Sequence, residues 1–134
     1  MPAPRRVISE NTSKKMLPLL RDVIMKSSTK HGEVTGYHVI GKTGSAEKLV
    51  NGKYSNTNIT SFISAFPGNN PQYSLLVILD EPKGLPETHQ FRTAGWNAAP
   101  TAGNIIKRIA PQLNIQADFD LDAQRQNIKA AFEK

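Results

Sequence analysis

The sequence predicts an α+β fold: an antiparallel sheet with three strands in this chain, and helices packed against it. Two observations carry this prediction. Apolar residues recur at helical spacing near the two ends of the chain, and three runs typical of strands follow one another between them. No helical pattern separates these runs. A parallel sheet would need such a crossover between its strands, so the order favours antiparallel pairing.

The composition is that of one globular domain with an excess of basic residues. Of 134 residues 38% are hydrophobic and none is cysteine, which excludes a disulfide scaffold and thiolate metal sites. No apolar run is long enough to span a membrane, and no signal-peptide pattern is present. The net charge is +6. Basic residues concentrate before residue 58 and fit an anionic partner, but they are not interleaved with aromatic residues as nucleic-acid binding would favour.

The first helix is predicted to begin at Ser9 or Ser13, both of which are good N-cap residues. Pro18 lies inside the pattern, so a kink, or a start nearer Leu17, is expected. Residues 27–36 are polar and predict a connector. The apolar stripe of this helix comprises Met16, Leu19, Leu20, Val23 and Ile24.

Three strands are predicted, over residues 37–42, residues 58–66 and Tyr73–Asp80. The third run is almost wholly apolar, as in a strand that is buried on both faces. Residues 67–72, PGNNPQ, are dense in turn formers and short enough to make the last two strands an antiparallel hairpin.

A second helix is predicted from about Asn97, after a loop over residues 81–96. Pro111 is expected to fray its end. Residues 118–134 form a tail with the pattern of a weak final helix through Leu121, Ile128 and Phe132, which divides the chain into a body of residues 1–117 and this tail. The stripe of the second helix comprises Ala102, Ile105, Ile106, Ile109, Ala110 and Leu113, and is interpreted as core.

Residues 36–43, GYHVIGKT, match the letters of the phosphate loop of NTPases. That loop needs a buried strand before its first glycine and a helix that begins at the Lys-Thr pair. Here the polar segment KHGEVT precedes the glycine, and GSAEKLVNGKYSN follows without an apolar stripe. A phosphate-loop NTPase is therefore a remote alternative.

The second interpretation of this region starts from Lys42-Thr43-Gly44, followed by Ser45. Lys-Thr-Gly is one of three elements shared by penicillin-binding proteins and class A β-lactamases, beside S-x-x-K and S-x-N. Here it is placed at the end of the first strand. Three segments, GYHVIGKTGSAEK, NTNITSFISAFPGNNPQYSLLVILDEPKG and TAGWNAAPTAGNIIKRIAP, resemble the last third of class B penicillin-binding proteins in order and spacing. Among these, the septal peptidoglycan D,D-transpeptidases are the most similar, and the resemblance extends over residues 5–113.

The resemblance implies a serine acyl-enzyme whose nucleophile and lysine base lie in an S-x-x-K element upstream of Lys-Thr-Gly. This chain contains Ser27–Lys30, Ser45–Lys48 and, for S-x-N, Ser9–Asn11; with nine serines and eleven lysines such matches are expected by chance. We therefore expect the C-terminal part of a transpeptidase domain, inactive alone. The resemblance further implies a parent protein in the bacterial inner membrane with this domain in the periplasm, while the piece itself is expected to be soluble.

Roles follow from the resemblance by position. Lys42 resembles the lysine that sets the charge of the pocket, and Thr43 and Ser45 resemble the hydroxyls that hold the terminal carboxylate of D-Ala-D-Ala or of a β-lactam. The backbone N–H of Ser45 resembles an oxyanion donor, and Gly44 belongs to the same substrate-binding strand. Arg92 and Thr93 are weaker candidates in the loop that borders the cleft. No cofactor and no metal is expected.

Other residues leave alternatives open. His38 could face the cleft, but a packed or solvated histidine is the simpler interpretation, and Trp96 fits a residue that anchors the second helix in the core. A non-catalytic module that binds cell-wall peptide or protein is the main alternative function. The strand Tyr73–Asp80 is too apolar for a natural sheet edge, so the chain alone is expected to self-associate through it.

Overall fold

The computed structural model describes Ala3 and residues 5–121 of the chain. It has an antiparallel sheet of three strands in the order β1-β2-β3, so the predicted α+β class and strand order are confirmed. The predicted helix through Leu121, Ile128 and Phe132 lies mostly outside the described residues. The elements are α1 (Glu10–Lys26), β1 (Ile40–Val50), β2 (Lys53–Phe66), β3 (Tyr73–Asp80) and α2 (Ala98–Ile109), with short 3-10 turns at Ser28–Gly32, Pro86–Thr88 and Ala94–Trp96.

Helix α1 begins directly after Ser9, whose Oγ accepts a hydrogen bond from the Thr12 amide at 3.1 Å. The helix continues through Pro18, so the alternative start near Leu17 is wrong. Met16 and Leu19, two members of the predicted stripe, are exposed. The reason is that the buried face is centred on Arg21 and Ile24, and a charged residue takes a core position that hydrophobicity alone does not predict.

Arg21 ties α1 to the segment that leads into β1. Its guanidinium forms a bidentate ion pair with Glu33 and donates a further hydrogen bond to the Val39 carbonyl at 2.8 Å. A bidentate arginine fixes direction as well as distance. The start of β1 is thereby held against α1.

The β1–β2 hairpin is longer than predicted. The sequence predicts that the first strand ends at residue 42 and that the next begins at residue 58, but β1 and β2 continue to a tight turn at Asn51 and Gly52. Both turn residues have positive φ, +51° and +76°, as a two-residue hairpin of type I′ requires. At its other end β1 starts at Ile40, because His38 takes a positive φ of 50° that a strand does not tolerate.

The sheet has an inner face that is covered by α2 and an outer face that is largely exposed in the described residues. Side chains alternate between the two faces along each strand. The outer face remains substantially exposed, since Ile63, Leu76 and Ile78 are 48%, 52% and 58% accessible. The inner face carries Thr43, Ser45, Thr60, Phe62, Ser64 and Val77, and the outer face carries Lys42, Ile59, Ile63, Leu76 and Ile78.

Helix α2 closes the core over the inner face. Small residues of α2 let the helix lie close to the 3-10 turn at Ser28–Gly32. A Cβ added at Gly103 would lie 3.2 Å from the Gly32 carbonyl oxygen. Within residues 5–121, neither helix has the length and apolarity needed to span a bilayer. The buried positions of α2 are Ala98, Ala99, Ala102, Gly103 and Ile106, followed by Ala110 just after the helix, with Ile105, Ile109 and Leu113 packed partly against the core; the predicted stripe is confirmed.

Candidate active site

The Lys-Thr-Gly segment lies within the first half of β1 and not at a strand end as predicted. In the described residues β1 is an edge of the sheet, paired only with β2. Gly41 comes directly before the segment. A Cβ there would overlap the Ile63 carbonyl oxygen and lie 3.0 Å from the Phe62 ring, so only glycine lets β1 approach β2 this closely.

Lys42 lies on the outer face, opposite Ile63 of β2. Its side chain is exposed, and its Nζ donates a hydrogen bond to the Thr43 carbonyl at 2.9 Å. Gly44 follows on the same face, where an added Cβ would lie 2.8 Å from Ser61 Oγ. The absence of a side chain at Gly44 leaves the surface beside Lys42 open.

Thr43 and Ser45 lie on the inner face, opposite Phe62 and Thr60. The segment therefore straddles the sheet edge, with the ammonium group on one face and the two hydroxyls on the other. Ser45 is exposed, and its Oγ accepts a hydrogen bond from the Ala94 amide at 3.0 Å. This contact brings the loop after β3 to the predicted site.

The two weaker candidates lie in that loop but differ in their contacts. Thr93 is exposed and comes directly before the Ala94–Trp96 turn. Arg92 donates two hydrogen bonds to Asn56 of β2, one to its carbonyl and one to its side-chain oxygen, both at 2.8 Å. The guanidinium of Arg92 is thus used to anchor the loop to the sheet.

The sequence reasoning missed Asn97 and Thr60 as contributors to this region. Asn97 Oδ1 accepts hydrogen bonds from Thr60 Oγ1 at 2.8 Å and from the Ala98 amide at 2.6 Å. Its Nδ2 donates to the Arg92 carbonyl at 3.0 Å. An asparagine directly before an apolar helical stripe is an N-cap signal, which could have pointed to Asn97.

The two S-x-x-K matches do not have the geometry of a nucleophile and its base. Ser27 Oγ donates to the Val23 carbonyl at 2.7 Å and serves as a helix-end residue. Lys48 binds Asp80 and Glu81 at 2.9 and 3.0 Å, and these hydrogen bonds raise the pKa of Lys48 above its ordinary value. A lysine base needs the opposite shift. Ser9, of the S-x-N match, caps α1.

The structure agrees with the packed interpretation of His38 but not with the core position expected for Trp96. His38 is buried outside β1, and its Nε2 lies 2.9 Å from the Asp118 carbonyl, so the packed alternative holds. Trp96 is only half-buried. Its ring centroid lies 4.5 Å from that of His31 and 5.3 Å from that of Phe91, so it belongs to a partly exposed cluster of rings and not to the buried core that was expected.

The phosphate-loop alternative is wrong on geometry. The residues after Thr43 continue a β-strand as far as Val50, and no helix begins at the Lys-Thr pair. The backbone amides that a helix N-terminus would present to a phosphate are therefore not assembled here.

Comparisons with known proteins agree with the resemblance seen in the sequence. A family model described as the penicillin-binding protein transpeptidase domain matches residues 2–107. A probable peptidoglycan D,D-transpeptidase FtsI of Caulobacter vibrioides is 38% identical over 130 residues, which cover 90% of this chain and 22% of that protein. Stage V sporulation protein D of Bacillus subtilis is 41% identical over 115 residues, covering 85% and 17%. The chain thus spans about a fifth of the length of these relatives.

Solved structures show the same fold. The transpeptidase domain of Burkholderia pseudomallei penicillin-binding protein 3 superposes with a TM-score of 0.73 at 28% identity, covering 87% of this chain and 34% of that one. Penicillin-binding protein 3 of Mycobacterium tuberculosis, determined with ampicillin, gives a TM-score of 0.72 at 24% identity over 88% of this chain and 28% of that one. The chain belongs to the penicillin-binding protein transpeptidase domain family.

Proposed function

We propose that this chain supplies the substrate-binding edge strand of a peptidoglycan D,D-transpeptidase that cross-links stem peptides in septal cell-wall synthesis. The observation that carries the proposal is the arrangement of β1, an edge strand with Lys42 on one face and the Thr43 and Ser45 hydroxyls on the other. An edge strand can pair with an extended peptide through its free backbone groups. Side chains on both faces then reach a ligand that lies along the edge.

The reaction proposed for the whole domain is acyl transfer through a serine ester. A serine hydroxyl attacks the peptide carbonyl of D-Ala-D-Ala, its proton passes to a base, and the terminal D-alanine leaves with its amino group protonated. An amine of a second stem peptide then attacks the ester and releases the serine. A β-lactam would react at the first step, when its ring amide opens.

Each residue of the motif has a role in this proposal. Lys42 supplies positive potential to the pocket, and the Thr43 and Ser45 hydroxyls donate to the terminal carboxylate of the peptide. Gly44 leaves the strand surface open to the ligand. The backbone N–H of Ser45 donates to the oxyanion that forms on the attacked carbonyl, and Thr93 borders the bound peptide.

We infer that the nucleophile and its base are supplied by a part of the domain outside these 134 residues. This is supported by Ser27, whose hydroxyl is engaged at a helix end, and by Lys48, which its acidic partners keep protonated. The inferred parent is an inner-membrane protein with this domain in the periplasm. We use "assembled domain" below for these residues joined to the nucleophile-bearing part of such a transpeptidase.

The chain alone is expected to form no covalent adduct with penicillin, because within the part of the chain that the structure describes neither S-x-x-K serine is paired with an activating base. The measurement is intact-protein mass spectrometry after incubation with benzylpenicillin, with the assembled domain as the positive control. Stoichiometric acylation of the chain at Ser27 or Ser45 would contradict the inferred division of the site. Absence of acylation in the assembled domain would contradict the transpeptidase proposal itself.

The chain alone is also expected to self-associate through β3. In the described residues this strand pairs with β2 along one edge, and its other edge is unpaired. Light scattering at about 100 μM should report a species larger than the monomer, since apolar edges of this kind pair readily. Ile78→Lys, which places a charge on the exposed edge strand, should restore the monomer. Leu49→Lys at the distant hairpin tip is the matched control and should not. A parental chain that remains monomeric would refute this prediction.

A further inference from the structure

The loop of residues 92–96 is tied to the sheet at three points. Its amide at Ala94 donates to Ser45 Oγ at 3.0 Å, and its arginine, Arg92, donates to Asn56 of β2. The third tie is Asn97, directly after the loop, whose Oδ1 accepts from Thr60 Oγ1. Ala94 and Gly95, in the middle of the loop, are buried. The loop is therefore a packed part of the edge of the sheet.

Asn97 connects the start and the middle of this loop to one point of the sheet. Its Nδ2 donates to the carbonyl of Arg92, where the loop starts, and its backbone amide donates to the carbonyl of Ala94 at 3.4 Å. Thr60, which orients its side chain, is fully buried and is the direct cross-strand partner of Ser45. Two neighbouring hydroxyls of the inner face thus hold the loop, one through Asn97 and one through Ala94.

The bond from Ala94 fixes what the Ser45 hydroxyl can offer to a ligand. A serine hydroxyl has one hydrogen to donate and two lone pairs that accept. The Ala94 amide occupies one lone pair, and among the residues that the structure describes none accepts a hydrogen bond from Ser45 Oγ. Because Ser45 is exposed, its hydrogen is available to an acceptor at the edge of β1. A carboxylate, which only accepts when ionised, is the matching ligand chemistry.

We propose that Asn97 is a positioning residue for Ser45: by holding the 92–96 loop, it keeps the Ala94 amide on Ser45 Oγ and turns the hydroxyl hydrogen towards the substrate carboxylate. This inference rests on the carboxylate-binding role proposed above for Ser45. Without the Asn97 side chain the loop loses its tie to Thr60, and the Ala94 amide no longer constrains the hydroxyl. The effect is specific to substrates that carry the carboxylate.

The test compares two donor peptides in the assembled domain, one ending in the D-alanine carboxylate and the other in its carboxamide. The quantity is the ratio of kcat/KM for the two peptides. Asn97→Ala and Thr60→Val are each expected to lower this ratio about tenfold, mainly through KM, as for loss of one hydrogen bond to a charged group. Thr60→Val leaves Asn97 in place to cap α2, so it remains informative if Asn97→Ala fails to fold. Thr60→Ser keeps the hydroxyl and should rescue the ratio.

A second readout reports the mechanism directly in the chain. Hydrogen exchange of the Ala94 amide, followed by NMR, should be about tenfold faster in Asn97→Ala and Thr60→Val than in Thr60→Ser, because opening of the loop exposes this amide. The positioning inference is overturned if Asn97→Ala and Thr60→Val lower kcat/KM equally for both peptides while Ser45→Ala lowers the ratio. In that case the carboxylate role of Ser45 stands. If Ser45→Ala leaves the ratio of kcat/KM for the two peptides unchanged, the carboxylate role of Ser45 is itself wrong.

Discussion

Replacing Lys42 by alanine is expected to lower the rate of acylation of the assembled domain by penicillin about 10²-fold, the scale observed when a preorganised electrostatic contact is removed from an active site. The side chain is exposed on the outer face, and its hydrogen bond in the described residues is to the neighbouring Thr43 carbonyl. Its loss should therefore change the free energy of unfolding by less than about 0.5 kcal/mol. The measurement is stopped-flow acylation combined with a thermal melt.

Lys53→Ala is the matched control for this experiment. Lys53 is also an exposed lysine of the sheet, but it lies at the tip of the β1–β2 hairpin, so the same change in net charge is made away from the motif. Its acylation rate should equal that of the parent. If Lys42→Ala acylates as fast as Lys53→Ala, the role proposed for Lys42 is wrong.

Phe62→Ala is expected to destabilise the chain by about 3–5 kcal/mol, the cost of removing a buried phenylalanine. Phe62 is fully buried on the inner face, and its ring also lies against Gly32 and Gly41. Natural domains are stable by only about 5–15 kcal/mol, so this change alone should leave a substantial unfolded population. Urea denaturation followed by the fluorescence of Trp96, the single tryptophan, measures the loss.

Ile63→Ala is the control for Phe62→Ala, because the adjacent residue points to the opposite face and is 48% exposed. In the chain alone it should cost less than about 1.5 kcal/mol. Equal losses for the two variants would mean that inner and outer faces are wrongly assigned. The measurement is made on dilute protein so that self-association does not add to the stability.

Hydrophobic patterns that extend over a whole helix or strand account for most of the fold prediction. The stripe of α2 is set by burial against one layer, which periodicity reports directly. The apolar run of β3 located a strand, but the predicted burial on both faces is wrong for the described residues, because Leu76 and Ile78 on the outer face are 52% and 58% accessible. The β1–β2 hairpin was underestimated because its distal half is exposed on both faces and carries no alternation of burial. The Asn51-Gly52 pair was the available signal, since its backbone conformation and not its hydrophobicity defines the turn.

The candidate site could be proposed from the sequence because its motif lies in consecutive residues. Lys42, Thr43, Gly44 and Ser45 are adjacent in sequence, so the motif itself could be found. Asn97 could not be linked to it, because its contact with Thr60 spans 37 positions and depends on how the loop folds back onto the sheet. Likewise the burial of Arg21 depends on Glu33 and Val39, which only the folded chain brings to it.

The tight turn at Asn51 and Gly52 has a consequence for how the sheet assembles in time. Each strand of the sheet pairs with its immediate neighbour in sequence, through this turn and through residues 67–72. Closing short loops costs little chain entropy, and folds dominated by such local pairings form quickly. Helix α2 must instead reach back to β2 from some forty residues away, as the Thr60–Asn97 contact illustrates. We therefore expect the two hairpins to form before helix α2 packs onto the inner face.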